Sequence, residues 1–267
     1  MDSNRRTAFV AGALYLLTFV SSIPAVGLLA PVLHDPSYVL GPGQDARVLT
    51  GGLLDLVNAA ACIGTAVVLF PVVRRQHQAA ALGFVAARLM EAAIIAIGVV
   101  SLFTVVTLRR AYAADHTGDS STLVTVSAAL VGVRDWTFLL GPSLVPGINA
   151  LLLGTLLLPS GLVPRAIPVL GLVGAPLQVS AVVGTVLGVN TQVSVWSAVA
   201  VVPIFFWELS LGVWLVAKGF RQSVDAGRTR SSRSTAMSAT SGTPTVDAST
   251  DAAEAAAATP SDSITVQ

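Results

Sequence analysis

Hydrophobic positions in this chain come in long runs, not in alternation with polar ones. Six stretches, 8–32, 51–73, 79–108, 123–158, 166–189 and 194–217, are almost wholly apolar and are divided by short polar breaks. A helix needs about 20 mostly apolar residues to cross the hydrocarbon core of a bilayer. The pattern therefore predicts an all-α, polytopic membrane protein with six transmembrane helices in a bundle. The fourth stretch is too long for one simple span, and it holds Arg134-Asp135 followed by Pro142 and Pro146. Either an amphipathic entry helix over roughly 122–134 precedes a span from Trp136, or one long tilted helix bends at the prolines.

Composition points the same way. The chain has 267 residues, 54% of them hydrophobic and 11% charged, against roughly 25% charged in a soluble domain. Its mean hydropathy is +0.77, so lipid is the expected solvent and the expected partner. The net charge of +1 gives no strong field, and nucleic acid is not expected as a partner. Arg5 and Arg6 precede the first run, but that run exceeds the roughly 7–15 residues of a signal-peptide core and reads as a retained helix. Cys62 is the single cysteine. It offers neither an intrachain disulfide nor a zinc spacing, and reads as a small packing residue.

Arginine and lysine in the short loops set orientation. With the N-terminus inside, the inner segments hold Arg5, Arg6, Arg74, Arg75, Arg165, Lys218, Arg221, Arg228, Arg230 and Arg233, and the outer loops hold Arg47, Arg109 and Arg110. Both termini are expected to be cytoplasmic. Residues 1–221 form the transmembrane domain. Residues 222–267 are rich in Ser, Thr and Ala and read as a disordered cytoplasmic tail, because such a segment buries too little surface to offset ordering entropy.

Soluble-enzyme motifs do not carry the chain. Gly41, Gly43 and Ala46 match a G-x-G-x-x-A spacing, but a polar loop with a proline precedes a span there, where a dinucleotide site needs a strand. His34, His77 and His116 fall in loops on both sides of the membrane and do not form one metal site. No phosphate loop, zinc-protease motif or nucleophile elbow is present, and no cofactor is called for. Gly184 and Gly188 form a G-x-x-x-G, read as a face for close helix packing.

The informative residues are the charges inside the apolar runs: Asp55, Arg88, Glu91, Arg134, Asp135 and Glu208, with Asn58 beside Asp55. Each charge near mid-bilayer costs at least about 2.5–3.5 kcal/mol, and such residues face the bundle and find partners. Counted from the cytoplasmic end of each span, they fall in two tiers. Arg88, Glu91 and Glu208 form the inner tier; Asp55, Asn58, Arg134 and Asp135 form the outer one. Arg88 and Glu91 are three apart and share a helix face. The depths pair Glu208 with Arg88, and Arg134 with Asp55. Four carboxylates face two guanidiniums.

The stretches NRRTAFVAGALYLL, LFPVVRRQHQAAALGFVAARLMEAAI, RDWTFLLGPSLVPGINALLLGTLLLPSGLVPRAIPVLGLVG and WELSLGVWLVAKGF resemble the bacterial membrane proteins grouped as domain of unknown function 4386. The resemblance covers roughly residues 3–221. It implies a polytopic protein of the bacterial inner membrane and brings no activity or catalytic residue with it. Three function classes stay open: a protein that binds or moves a small solute, ion or proton; a structural or regulatory protein whose charge pairs only fix helix packing; and a membrane enzyme acting on a lipid-soluble substrate.

Overall fold

A computed structural model describes residues 3–115 and 118–221. The tail beyond, and His116, lie outside the described residues. Among the described residues, seven α-helices follow one another: α1 (Ser3–His34), α2 (Asp45–Val73), α3 (Gln78–Asp115), α4 (Ser120–Phe138), α5 (Val145–Ser160), α6 (Ala166–Val186) and α7 (Val195–Ala217). A π-helical segment, Leu139–Leu144, joins α4 to α5 without a break. The long fourth stretch is thus one continuous span, Ser120–Ser160, and six helices are long and apolar enough to cross a membrane.

The distribution of polarity is that of a lipid-solvated bundle. Val20, Ile23, Val67, Val100 and Phe206 are exposed, whereas Asp55, Arg88, Glu91, Arg134, Asn149 and Gln178 are buried. In water this arrangement would discard hydrophobic burial and desolvate charge at once. The chain is a multi-pass membrane protein.

Neighbours in sequence pack as neighbours in space, and α1 packs against α7 to close the bundle. Two devices make that closure. Where α1 crosses α7, a Cβ on Gly12 would lie 2.6 Å from the carbonyl oxygen of Gly212 and 2.8 Å from the amide nitrogen of Val216. Only two glycines allow the backbones so near. At the end of the same pair, Arg5 donates to the carbonyls of Leu215, Val216 and Ala217 at 3.1, 2.8 and 3.1 Å. These are carbonyls that a helix C-terminus leaves unpaired, at its negative end. Both ends of the bundle therefore lie on one face. The amide of Arg221 donates to Leu162 O at 2.8 Å on that face.

The π segment of the fourth span has a local cause. Pro142 and Pro146 lack N–H groups, so the helix cannot keep its regular ladder there, and it widens into the π turn. A side chain from α6 completes the repair: Gln178 Nε2 donates to Ser143 O at 2.6 Å. At the other face, α3 runs for 38 residues. That is about 57 Å, well beyond a core about 30 Å thick. Its far end is tied to the 35–44 loop. Arg109 donates to both carboxylate oxygens of Asp45 at 2.6 and 2.7 Å, and Arg110 and Tyr38 add bonds of 2.8 and 3.0 Å. Burial, and the hydrogen bond that Tyr38 gives to Asp45, push the phenol up to about 12.

One expectation needs correcting. Gly184 and Gly188 do not form a helix-packing face. A Cβ on Gly184 would meet Asn190 of the following loop, and Gly188 lies beyond α6 with φ of +73°. The pair shapes a turn, with the Val189 amide donating to Gly184 O at 2.8 Å.

Two predictions follow from these ends. Gly12→Val forces α1 and α7 apart and destabilises the bundle by about 1–3 kcal/mol, read as a lower unfolding temperature in detergent. Asp119 caps α4 by accepting from the amides of Ser121 and Thr122, and with the hydroxyls of the same residues this holds its carboxyl down at about 2. A depressed folded value means that the cap is fully in force above the ordinary carboxylate range and is lost as pH falls toward about 2. Amide exchange at the start of α4 should stay slow at pH 5 and accelerate only in strong acid. In Asp119→Ala it should be fast throughout.

Candidate functional site

The inner tier comes together around Arg88. On α3, Arg88 and Glu91 stand one turn apart on the bundle-facing side, and Arg88 Nη1 donates to Glu91 Oε2 at 3.0 Å. From α7, Glu208 Oε1 accepts from Arg88 Nη2 at 2.7 Å. From α5, Asn149 Nδ2 donates to the same Glu91 Oε2 at 2.9 Å. From α2, Cys62 Sγ lies 3.6 Å from Arg88 Nη1. Tyr15 of α1 places its ring 5.1 Å from the guanidinium carbon, a cation–π distance. Five helices thus contribute to one cluster, α1, α2, α3 and α7 at the guanidinium itself and α5 through Glu91.

Exposure is graded across the cluster. The side chains of Arg88 and Glu91 are 2% and 5% exposed, that of Glu208 14%. Charge is unbalanced: when both carboxyls are ionised, two negative charges face one positive. Hydrogen bonding is also incomplete, because Arg88 Nε and Asn149 Oδ1 are buried without partners among the described residues. Buried polar atoms are satisfied in the great majority of cases, so unpartnered ones need a reason.

The outer tier is a single pair. Arg134 Nη2 donates to Asp55 Oδ2 at 2.8 Å, linking α4 to α2. Arg134 also lies over the Phe138 ring at 5.1 Å, with its Nε and Nη1 buried and unpartnered. This single contact differs from the doubly bonded Asp45–Arg109 pair.

Both pairings expected from depth are present. Two assignments to the outer tier change. Asp135 is exposed, and it stays outside the network because the residue after Arg134 turns about 100° around the helix. Asn58 is buried on the bundle side but bonds to neither tier. Three participants were not singled out for the site from sequence. Cys62 carries only a packing role in the sequence, yet its Sγ lies against Arg88. Asn149 was detectable as a lone carboxamide in an apolar run (GINALLL). Tyr15 offers no such signal, since an aromatic in a membrane helix is ordinary. Among the described residues, no group of three or more His, Cys, Asp or Glu side chains gathers as metal ligands do.

Removing Arg88 leaves two buried carboxyls without a counter-charge, and Arg88→Met should cost about 3–5 kcal/mol. Removing the outer pair in balance is different: Asp55→Leu with Arg134→Met should cost much less than either change alone. Chemical unfolding in detergent measures both.

No curated protein and no solved structure matches the chain. A family model, described as a domain of unknown function (DUF4386), matches residues 10–219. That match takes in the first span from residue 10, the other five spans whole and every residue of both tiers, and the chain belongs to this family.

Proposed function

We propose that this protein handles protons within a bacterial inner membrane, and that Glu91 and Glu208, arranged around Arg88, take up and release one proton. The observation that carries this reading is the unbalanced and incompletely bonded inner cluster. A brace between helices is best served by equal charges and saturated hydrogen bonds, because buried pairs otherwise fail to recover their desolvation. Here one carboxylate is in excess. A proton neutralises it using one lone pair.

A metal cation is a poorer match. Hard cations gather six or more oxygens, whereas Glu91 Oε2 already accepts two N–H donors and Glu208 Oε1 accepts another. Those donors would face any ion placed there. The Asn149 carboxamide suits both protonation states. Its Nδ2 donates to an ionised Glu91, and a half-turn would offer the unpartnered Oδ1 to a protonated one. Glu208 accepts from Arg88 through Oε1 alone, which leaves its second oxygen for exchange in this reading.

Orientation belongs to the same proposal. The face that holds both ends of the bundle carries Arg5, Arg6, Arg74, Arg75, Arg165, Lys218 and Arg221, and no Asp or Glu among the described residues. The opposite face carries Arg47, Arg109 and Arg110 together with several aspartates. The rule that basic loops stay inside puts both ends in the cytoplasm.

The test is the unfolding temperature of the purified protein for Glu91→Gln and Glu208→Gln. A carboxylate kept for function is kept at a cost in stability, so at least one of these variants should melt several degrees higher, about 2–4 °C per kcal/mol. Sharp losses in both would make the cluster a packing brace and overturn the reading.

A further inference from the structure

The two tiers are separated on most helices by apolar side chains. On α3, Ile95 and Val99 are buried between Glu91 and the level of Arg134, within a core cluster that includes Ala59, Cys62 and Ala92. On α2 the gap is filled differently. Asp55, Asn58, Cys62 and Thr65 are all buried. At about 100° per residue these four positions fall within an arc of about 80°. They form a polar stripe along one face of a helix that is otherwise apolar. Its upper end is the Asp55–Arg134 pair. Toward its lower end Cys62 is in contact with Arg88, and Thr65, the last of the four, donates to the Cys62 carbonyl. Asn58 stands between the Asp55 and Cys62 positions, about 4.5 Å of helix rise from Asp55 and about 6 Å from Cys62.

We propose that this stripe is the outer half of a proton path, with Asn58 as the positioning residue that connects the Asp55–Arg134 pair to the Arg88–Glu91–Glu208 centre. The inference rests on the proton-handling reading of that centre. Three observations carry it. The Asp55–Arg134 contact is single, leaving Arg134 Nε and Nη1 buried and without partners. Such a pair keeps two further donors with which to hold a water or a neighbouring oxygen while the ion pair stays intact, which the saturated Asp45–Arg109 latch lacks. Asn58 is held in the interior with both a donor and an acceptor uncommitted to either tier. Its spacing from each neighbour is one that a single bridging water spans.

The groups facing this path are Tyr15 on α1, Asp55 and Cys62 on α2, Arg88 and Glu91 on α3, Arg134 on α4, Asn149 on α5 and Glu208 on α7. Asp55, ionised beside Arg134, first takes a proton from water of the outer face and then gives it up as that O–H bond breaks. The proton passes along water held by the Asn58 carboxamide and forms an O–H bond on Glu91. No electron is transferred, and Asn58 itself is neither protonated nor consumed. The proton then passes to Glu208, the Glu91 O–H breaking as the Glu208 O–H forms while Arg88 pairs with whichever carboxylate is ionised, and Glu208 releases it to water on the cytoplasmic side.

The experiment uses the full chain in liposomes with a trapped pH dye and a potassium gradient made conductive by valinomycin. Asn58→Val and Asn58→Thr are nearly the same shape and differ by a hydroxyl. Wild-type protein should acidify the lumen, and Glu91→Gln should abolish this. Asn58→Val should slow it at least tenfold, and Asn58→Thr should restore most of the rate, both with unfolding temperatures near wild type. If Asn58→Val does not fold, Asp55→Asn combined with Arg134→Gln removes the outer charges in balance and should give the same tenfold loss. Wild-type flux that depends on Glu91 but survives Asn58→Val, or the Asp55/Arg134 double change, overturns the path and leaves the centre standing. Equal loss in the folded Val and Thr variants overturns it too, since shape and not polarity would then be responsible. Liposomes of wild-type protein with no proton movement overturn the proton-handling reading together with the path built on it.

Discussion

A guanidinium held in the middle of a lipid-solvated bundle is the demand that organises the rest of this molecule. Arg88 cannot shed its charge, and hydrocarbon offers it nothing. Helices from across the chain therefore turn polar or aromatic groups toward it: a carboxylate from α3 itself, another from α7, a ring from α1, a thiol from α2, and from α5 a carboxamide that supports the nearer carboxylate. The partners of Arg88 are also a list of which helices must meet. The α1–α7 closure, made by Gly12 against Gly212 and by Arg5 on the last carbonyls of α7, brings the sixth span to where Glu208 can reach it.

The protein uses charge in two styles. At the far face, Asp45 is saturated by Arg109, Arg110 and Tyr38, which is how a fixed joint between a loop and a helix end is built. In the interior, Arg88 and Arg134 are each left with unused donors, and a carboxylate is in surplus. Low dielectric makes every unmatched polar atom expensive. Interior groups left in this condition are better suited to changing partners than to holding two helices still.

The π turn belongs with that interior. Prolines at 142 and 146 break the ladder of the fourth span at the level where it passes α3: a Cβ on Gly141 would meet Ile94 and lie 3.8 Å from Glu91 O. Gln178 repairs one carbonyl from α6 and keeps Oε1 unpartnered. The π segment lies within a helix of 41 residues that delivers Asn149 to the charged centre.

The six spans, the single long fourth stretch as one of two forms, and the two charge pairings were legible in the chain, for a physical reason. In lipid, apolar length alone defines a span, and an ionised group must find an opposite charge at its own depth. With so few charges, depth nearly fixes the partner. Depth carries no information about azimuth for a residue flanked by other charges, so Asp135 was grouped with Arg134 although it points out of the bundle. Neutral side chains were invisible for the opposite reason. Asn149, Tyr15 and Cys62 carry no penalty large enough to announce a partner, and the G-x-x-x-G pair could not reveal that the helix ends between its members. Sequence by itself determined the solvent, the number of crossings and which charges meet, because these follow from transfer free energies along one dimension. Tertiary structure alone decided which neutral groups complete the cluster, where the fourth span widens, and which donors stay unfilled. Those depend on the rotation of each helix about its axis, set by side-chain packing across helices that the linear order does not bring together.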